Sequence, residues 1–245
     1  GVKDATIDVT DKLAAYGKHQ AHALENLSGY IFKSKSPSCG LERVKVYHAA
    51  SAPAANGRGI YADAFLAAQP WLPAEEEGRL SNPRLRGNFI ERVFVYRRWQ
   101  ELVARGLTVP RLVEFHTHHK LALMAHDVTA YRALGRLVAQ AGRRNLKEFG
   151  HDYILRLMDA LRRPATPARH ANVMMHLMGY LKMQLDAEDK AELLEMIHAY
   201  RRSEMPFVAP LTLLKHYFRR FPNPTIMHQT YLHPDPRELL LRGGL

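Results

Sequence analysis

The single cysteine of the 245-residue chain, Cys39, stands in a short Ser-Pro-Ser-Cys-Gly segment at residues 36–40. This segment follows the β-prone residues 30–32, and ligands of α/β sheets commonly bind where strands end. Lys33 and Lys35 are close in sequence, and nearby cations favour the thiolate form of a cysteine. Such a cysteine could serve as a nucleophile or as a metal ligand. The alternative is a small residue buried in a turn.

Histidines form a second group of candidate residues. On a predicted helix, His116, His119 and His126 share an arc of about 80° with two leucines. A stripe that mixes histidine and leucine faces a core or a pocket rather than water. Three interpretations stay open: helix packing, a substrate or anion site, and a metal site completed by a second helix. The candidates for the substrate or anion site are His116, His119, Lys120, His126 and His176. The second-helix candidates for a metal site are His170, Asn172 and His176.

Arginine forms the third group, since five Arg-Arg pairs occur and three of them have aromatic neighbours. Guanidinium groups grip phosphates with two hydrogen bonds and aromatic rings stack on unpaired bases, so this mixture fits single-stranded or structured RNA. The alternative is ordinary surface arginine near helix ends, where cations suit the helix dipole. The candidates for nucleic-acid contact are Arg97, Arg98, Arg201, Arg202, Arg219 and Arg220.

Charge divides the chain into two chemically different parts. Residues 1–80 hold equal numbers of basic and acidic side chains, whereas residues 81–245 hold 26 of the 35 Lys and Arg residues and 15 of the 24 Asp and Glu residues. The whole formal charge of +11 therefore belongs to the second part. One cysteine excludes a disulfide framework, and the absence of an apolar run of about 18 residues argues against a membrane span. The start shows no secretory signal, which favours a cytoplasmic protein whose natural start has been removed.

The elements that would position these side chains also differ between the two parts. A helix from Thr10, strands at 30–32 and 44–47, a turn at 56–59 and a helix at 60–68 are typical of the end of an α/β unit. Beyond residue 83, apolar periodicity predicts helices almost throughout. These helices cover residues 83–106, 110–124 with an extension towards 131, 147–162, 168–185, 187–202 and 207–220. The predicted fold class is mainly α, with a truncated α/β unit over residues 1–80 and an all-α domain over residues 81–245.

Three stretches of the first part resemble the carboxy-terminal half of the thiouracil desulfidase family. They are residues 33–40, Gly-Arg-Gly-Ile-Tyr-Ala at 57–62 and Leu-Pro-Ala-Glu-Glu-Glu-Gly-Arg-Leu at 72–80. The resemblance implies a bacterial α/β domain that binds a [4Fe-4S] cluster through three cysteines and removes sulfur from thiolated uracil. It implies that Cys39 is the third cluster ligand and that Ser36 and Ser38 border the catalytic site, with one iron open to the substrate's sulfur. The family's other two cysteines lie in an amino-terminal stretch that this chain lacks. Since one thiolate cannot hold such a cluster, we expect the chain alone to bind none and to be inactive.

The second part resembles the YbgA-type helical domain, whose biochemical role is not established. The resemblance covers residues 85–242. It rests on Arg92-Val-Phe, on Phe-His-Thr-His-His-Lys-Leu-Ala-Leu-Met-Ala-His at 115–126, on His-Leu-Met-Gly-Tyr-Leu-Lys at 176–182 and on Tyr-Leu-His-Pro-Asp-Pro-Arg-Glu-Leu at 231–239. That family often follows the desulfidase-like domain in one polypeptide, which supports both resemblances.

The sequence thus predicts part of a two-domain protein whose parent is an iron–sulfur-dependent desulfidase acting on a thiolated pyrimidine. Its basic helical domain would bind the substrate, for example a thiolated base within RNA. One alternative is a non-catalytic helical module that binds nucleic acid, and another is a helical metalloenzyme. The sequence predicts no oligomeric state.

Overall fold

The computed structural model describes residues 7–48, 51–143 and 145–242, and of these the side chains of residues 47, 48, 51–56 and 242 stay undescribed. It divides the chain into two structural units, Gly1–Tyr96 and Arg97–Leu245. The domain boundary predicted after residue 80 stays a prediction.

The first unit combines helices with short strands. In chain order the elements are α1 (Thr10–Ala23), β1 (Tyr30–Phe32), β2 (Val44–His48), β3 (Ser51–Gly57), α2 (Ile60–Ala68), β4 (Ala74–Glu76) and the start of α3 (Pro83–Ala104). Strands β1 and β4 form a parallel pair with Tyr30 opposite Ala74, while β2 and β3 form an irregular antiparallel hairpin. The strands at 30–32 and 44–47 and the helix at 60–68 are confirmed. The turn predicted at 56–59 begins too early, because Gly57 pairs with Val44 in the hairpin.

Helices α1 and α2 pack closely, which the small residues between them allow. A Cβ added at Gly17 would lie 2.8 Å from the carbonyl oxygen of Tyr61. The rings of Tyr61 and Phe65 on α2 lie 5.7 Å apart between centroids and pack on Phe32, which is buried. Burial of three aromatic side chains gives this small unit much of its apolar core. The core therefore holds α2 against β1, the strand that precedes Cys39.

The second unit is built from helices in the part that the structure describes. They are the end of α3, α4 (Val109–His126), α5 (Val128–Val138), α6 (Leu146–Leu161), α7 (Pro167–Tyr180), α8 (Ala187–Arg201), α9 (Val208–Arg220), α10 (Pro224–Met227) and α11 (Pro236–Arg242). Side-chain caps begin several of these helices, for example Thr108 at α4 and Thr166 at α7, each followed by a proline in the first turn. After α9 the structure describes two short helices, α10 and α11, each of which begins at a proline.

Asp127 separates α4 from α5. Its backbone is extended, with φ −155° and ψ 107°, and its side chain accepts a hydrogen bond from the amide of Ala130. The residue thus ends one helix and caps the next, so the extension predicted towards residue 131 is a separate helix.

The mainly α fold class is confirmed by these elements. Among the helices that the structure describes, none is both long enough and apolar enough to cross a bilayer.

Candidate functional site

Residues 36–40, hereafter the thiol loop, follow β1 and bring two hydroxyls and the thiol into a row. The oxygens Ser36 Oγ and Ser38 Oγ lie 3.1 Å apart, and Ser38 Oγ lies 3.4 Å from Cys39 Sγ. The amide of Cys39 also donates a hydrogen bond to Ser36 Oγ over 3.2 Å. All three side chains are half-buried. The structure thus brings together the three residues that the sequence selected in this part of the chain.

The backbone of the thiol loop is fixed by the start of α2. Gly59 donates its amide hydrogen to Gly40 O over 2.7 Å, and Ala62 donates its own to Ser38 O over 3.1 Å. A Cβ at Gly59 would lie 2.3 Å from the carbonyl carbon of Ser38, far inside van der Waals contact. Glycine is therefore needed at residue 59, because two backbones meet there.

Two acidic residues outside the sequence-predicted site, Glu75 and Glu76, end β4, and Glu76 holds the segment that follows the thiol loop. Glu76 Oε1 accepts hydrogen bonds from the amides of Leu41 and Glu42, at 2.7 and 3.2 Å. Glu75 accepts one from Arg79 Nε at 2.6 Å. Both carboxyl side chains are buried although they end β4. The run of three glutamates at 75–77 is visible in the sequence, but the contact of Glu76 with the amides of Leu41 and Glu42 depends on the pairing of β4 with β1.

A tyrosine pair lies near the thiol loop. The hydroxyls of Tyr30 and Tyr61 lie 3.3 Å apart. Burial and then the Tyr30 hydroxyl raise the pKa of Tyr61 well above its ordinary value of 10.0, with a small contribution from Cys39. Tyr61 therefore stays a neutral O–H donor at physiological pH.

An iron–sulfur cluster needs more thiolates than this chain contains. Cys39 is its one cysteine, and the described residues include no group of three His, Cys, Asp or Glu side chains placed to hold a metal. Since [4Fe-4S] clusters are held by several cysteine thiolates, the residues of this chain do not fit the cluster alone. The same finding gives no support to the predicted metal site in the helical unit.

The predicted histidine stripe on α4 is buried, as its mixture with leucine indicates. His116 Nδ1 lies 3.2 Å from the Tyr153 hydroxyl, His119 Nδ1 donates to Phe115 O at 2.7 Å, and His126 Nδ1 donates to Arg163 O at 2.6 Å. Burial, with a smaller effect of Lys120, lowers the pKa of His116 to about 4. These histidines therefore make separate local hydrogen bonds.

The two remaining candidates of this group lie nearer the surface. Lys120 is half-buried on α4, and His176 is exposed on α7, edge-on to Tyr180. On the same helix, His170 Nδ1 lies 2.9 Å from the Tyr231 hydroxyl, inside a cluster of aromatic rings. The role of the group as a substrate or anion site stays a prediction.

The candidate arginines differ in their surroundings. Arg97 pairs with Glu101 at 3.0 Å, Arg98 with Glu238 at 2.8 Å, and Arg202 with both Glu195 and Glu204. Arg201 and Arg219 are exposed, and the guanidinium of Arg220 stands 5.2 Å from the ring centroid of Phe221. The end of α9 thus presents arginine beside an aromatic ring, whereas three other candidates are engaged by carboxylates.

A cavity of about 400 Å³ lies in the second unit beside the last turns of α3 and the first half of α4, and we term it the helical cavity. Its walls carry three guanidinium groups, from Arg98, Arg105 and Arg111. Arg111 donates hydrogen bonds to the carbonyl oxygens of Arg105 and Gly106, which fixes its side chain over the end of α3. None of the sequence motifs predicted this grouping, although Arg98 and His119, two residues selected from sequence, belong to it.

Thr230 completes the helical cavity from a distant part of the chain. Its amide and its hydroxyl both donate to the carbonyl oxygen of His118, at 3.0 and 3.1 Å. Next to it, Gln229 is fully buried and donates to Thr117 O at 2.6 Å. These bonds hold the segment before α11 against α4.

Comparisons with known proteins agree with this arrangement. A family model described as 2-thiouracil desulfurase matches residues 2–77, and one described as a protein of unknown function, DUF1722, matches residues 120–236. The uncharacterized protein YbgA of Escherichia coli strain K12 is 36% identical over 152 residues, which cover 62% of this chain and 90% of YbgA. No solved structure matches the chain.

These matches define a class of two-domain proteins in which a desulfurase-type segment precedes a helical domain. Through its similarity to nearly the whole of YbgA, the chain belongs to the YbgA family.

Proposed function

We propose that this chain is part of a desulfidase that removes sulfur from a thiolated pyrimidine, with the helical unit binding the substrate. The observation that carries the proposal is the row of two hydroxyls and a thiol in the thiol loop, fixed by the start of α2. The matched desulfurase family supports the same assignment.

Each side chain of the row has a chemical role in this proposal. Cys39 would supply one thiolate ligand of an iron–sulfur cluster, and the other ligands would lie outside residues 1–245. Ser36 and Ser38 carry hydroxyls that can donate to or accept from the ring nitrogens and the exocyclic oxygen of a pyrimidine. Glu76 keeps the backbone after the loop in place through two amide hydrogen bonds.

The test uses the natural full-length protein, reconstituted anaerobically with iron and sulfide. We expect cluster absorption together with conversion of 2-thiouracil to uracil and sulfide. Cys39→Ala should abolish both signals. Ser36→Ala and Ser38→Ala should keep the absorption and lower turnover by about tenfold or more, since each removes one positioned hydrogen bond. Ser81→Ala, an exposed serine of the same unit, is the matched control. Full absorption and turnover in Cys39→Ala would refute the proposal.

The second candidate function is RNA binding by the helical unit. It is favoured by the end of α9, where Arg219 is exposed and Arg220 stacks on Phe221. Guanidinium groups beside aromatic rings suit unpaired bases and phosphates.

This candidate predicts binding to single-stranded RNA that weakens steeply with salt. The double variant Arg219→Ala/Arg220→Ala should reduce both the affinity and the salt dependence. Arg202→Ala is the matched control, because its guanidinium already bridges Glu195 and Glu204. An equal loss in the two variants, or binding that salt leaves unchanged, would exclude a specific role for the end of α9.

A further inference from the structure

The helical cavity combines features that recognise different parts of one ligand. At its rim, Arg105 is exposed and adjoins Arg111, whose side chain is bonded to the Arg105 carbonyl oxygen. Arg105 and Arg111 both line the cavity, and guanidinium groups present several N–H donors in a planar fork that suits a phosphate. Because Arg98 is paired with Glu238, the anion-binding charge of the cavity comes from Arg105 and Arg111.

The same cavity contains two carboxylates, Glu114 and Glu101, of which Glu101 also pairs with Arg97. Carboxylates accept hydrogen bonds from hydroxyl and amino groups and repel phosphates. A polyanion that filled the cavity would face this repulsion, whereas a ligand with a single phosphate at one end and hydroxyls behind it would not. The mixture of charges therefore favours a monophosphate that carries a polar neutral part.

An aromatic wall forms another side of the helical cavity. The ring of His119 stacks on Phe115, with the centroids 4.2 Å apart and the planes 32° from parallel. Leu102 lies on the same cavity surface. Burial lowers the pKa of the neighbouring His118, Glu114 opposes this effect and His228 adds to it. A partly aromatic wall suits a planar heterocycle.

We infer that the helical cavity binds a nucleoside monophosphate, with the phosphate at Arg105 and Arg111, the sugar hydroxyls near the carboxylates and the base against the aromatic wall. The volume of about 400 Å³ lies in the usual range for pockets that enclose a small ligand. The inference extends the substrate-binding role given to the helical unit under the proposed function, and it does not involve Cys39.

The experiment is calorimetric titration of the full chain with the four common nucleoside 5′-monophosphates, with uridine and with inorganic phosphate. We expect at least one monophosphate to bind about tenfold or more tightly than both uridine and phosphate, since its two ends are held together. Phosphate that binds as tightly as the best monophosphate would reduce the cavity to an anion site and overturn the inference. The absence of binding by all four monophosphates would also overturn it.

Substitutions of Arg105 test where in the cavity the phosphate group binds. Arg105→Ala should weaken monophosphate binding about tenfold, as expected for a lost charge-assisted hydrogen bond, and leave uridine binding unchanged. The monophosphate affinity of Arg105→Lys should lie between those of Arg105→Ala and the unsubstituted chain, because lysine keeps the charge but lacks the forked guanidinium group. Arg132→Ala, on the exposed face of α5, is the matched control and should bind as the parent protein does. Equal effects of Arg105→Ala and Arg132→Ala would refute the assignment.

A final variant separates this inference from the proposed function. Cys39→Ala should bind the monophosphate with unchanged affinity even though it loses desulfidase activity. If the reconstituted full-length protein without substitutions binds the monophosphate but does not convert 2-thiouracil, the cavity assignment stands and the proposed desulfidase activity is refuted. If it converts 2-thiouracil but binds no monophosphate, the activity stands and the cavity assignment is refuted.

Discussion

The thiol loop and the helical cavity are two sites built in opposite ways. The thiol loop consists of five consecutive residues whose backbone is bonded to the start of α2, with short side chains held in a row. The helical cavity takes its walls from α3, from α4 and from Thr230, and half of its ten lining residues carry long charged side chains. Short side chains on a fixed backbone place atoms accurately, whereas long side chains can adapt to a ligand. A single substitution should therefore cost more stability in the thiol loop than at the helical cavity.

The largest expected effect comes from the backbone contact beneath the thiol loop. Gly59→Ala would place a Cβ 2.3 Å from the carbonyl carbon and oxygen of Ser38, and backbone atoms cannot rotate away. We expect the free energy of unfolding to fall by about 4 kcal/mol. The measurement is urea unfolding combined with segment-resolved hydrogen exchange over residues 36–42.

The matched control is a glycine of the helical unit. Gly179, in α7, has no atom within 4 Å of an added Cβ. Gly179→Ala should raise the free energy of unfolding by about 0.5–1 kcal/mol, because alanine favours the helix. If hydrogen exchange in the thiol loop were the same in Gly59→Ala and Gly179→Ala, the loop would not depend on the backbone contact.

The next effect concerns the carboxylate that holds the end of the thiol loop. Glu76→Ala leaves the amides of Leu41 and Glu42 without their acceptor, which should cost about 3 kcal/mol. Glu76→Gln keeps an acceptor oxygen of the same shape and should lose less than half as much. Equal losses in the two variants would mean that the negative charge, rather than the two hydrogen bonds, supports the loop.

The contrast between the two sites also explains what the sequence could predict. The helices and the thiol loop could be predicted from the sequence, because periodicity and a run of consecutive residues are local signals. The pairing of Tyr30 with Ala74 could not be predicted, since a parallel pair joins residues far apart in sequence. The support given by Glu76 depends on that pairing. The helical cavity was hidden for the same reason: Arg105, Glu114 and Thr230 share no periodic pattern, and only folding brings them together.

The histidine stripe shows the limit of a helix-face argument. Its spacing predicted burial, which the structure confirms, since His116, His119 and His126 are buried. The spacing could not tell which partner each ring would meet. Tyr153 and Arg163 lie on or just beyond α6, a helix whose position against α4 no local pattern encodes.

The third prediction tests whether burial makes this part of the helical unit sensitive to pH. The pKa of His116 is lowered to about 4 in the folded chain, from an ordinary 6.5, mainly by burial. The unfolded chain therefore binds the proton first as pH falls. Burial of the neutral His116 ring contributes its full stabilisation of the fold above pH 6.5, and this contribution is lost progressively as the pH falls from 6.5 to 4.

The measurement is the free energy of unfolding at pH 7.5 and pH 4.5. Glutamine cannot titrate, so the free energy of unfolding of His116→Gln should fall by about 2 kcal/mol less than that of the unsubstituted chain between pH 7.5 and pH 4.5. His176→Gln, at an exposed position on α7, should follow the parent protein. A pH dependence that is unchanged in His116→Gln would show that other groups cause the acid instability.

The smallest expected effect lies at the rim of the helical cavity. Thr230→Val removes a hydroxyl that donates to His118 O, but the amide of residue 230 donates to the same oxygen and keeps it satisfied. The loss should be only about 1 kcal/mol, the usual net value of one hydrogen bond. Thr212→Val, whose hydroxyl bonds the preceding turn of α9 on an exposed surface, is the control and should lose less. A loss at Thr230 as large as that of Gly59→Ala would mean that the helical cavity is as rigid as the thiol loop, and the distinction between the two sites would fail.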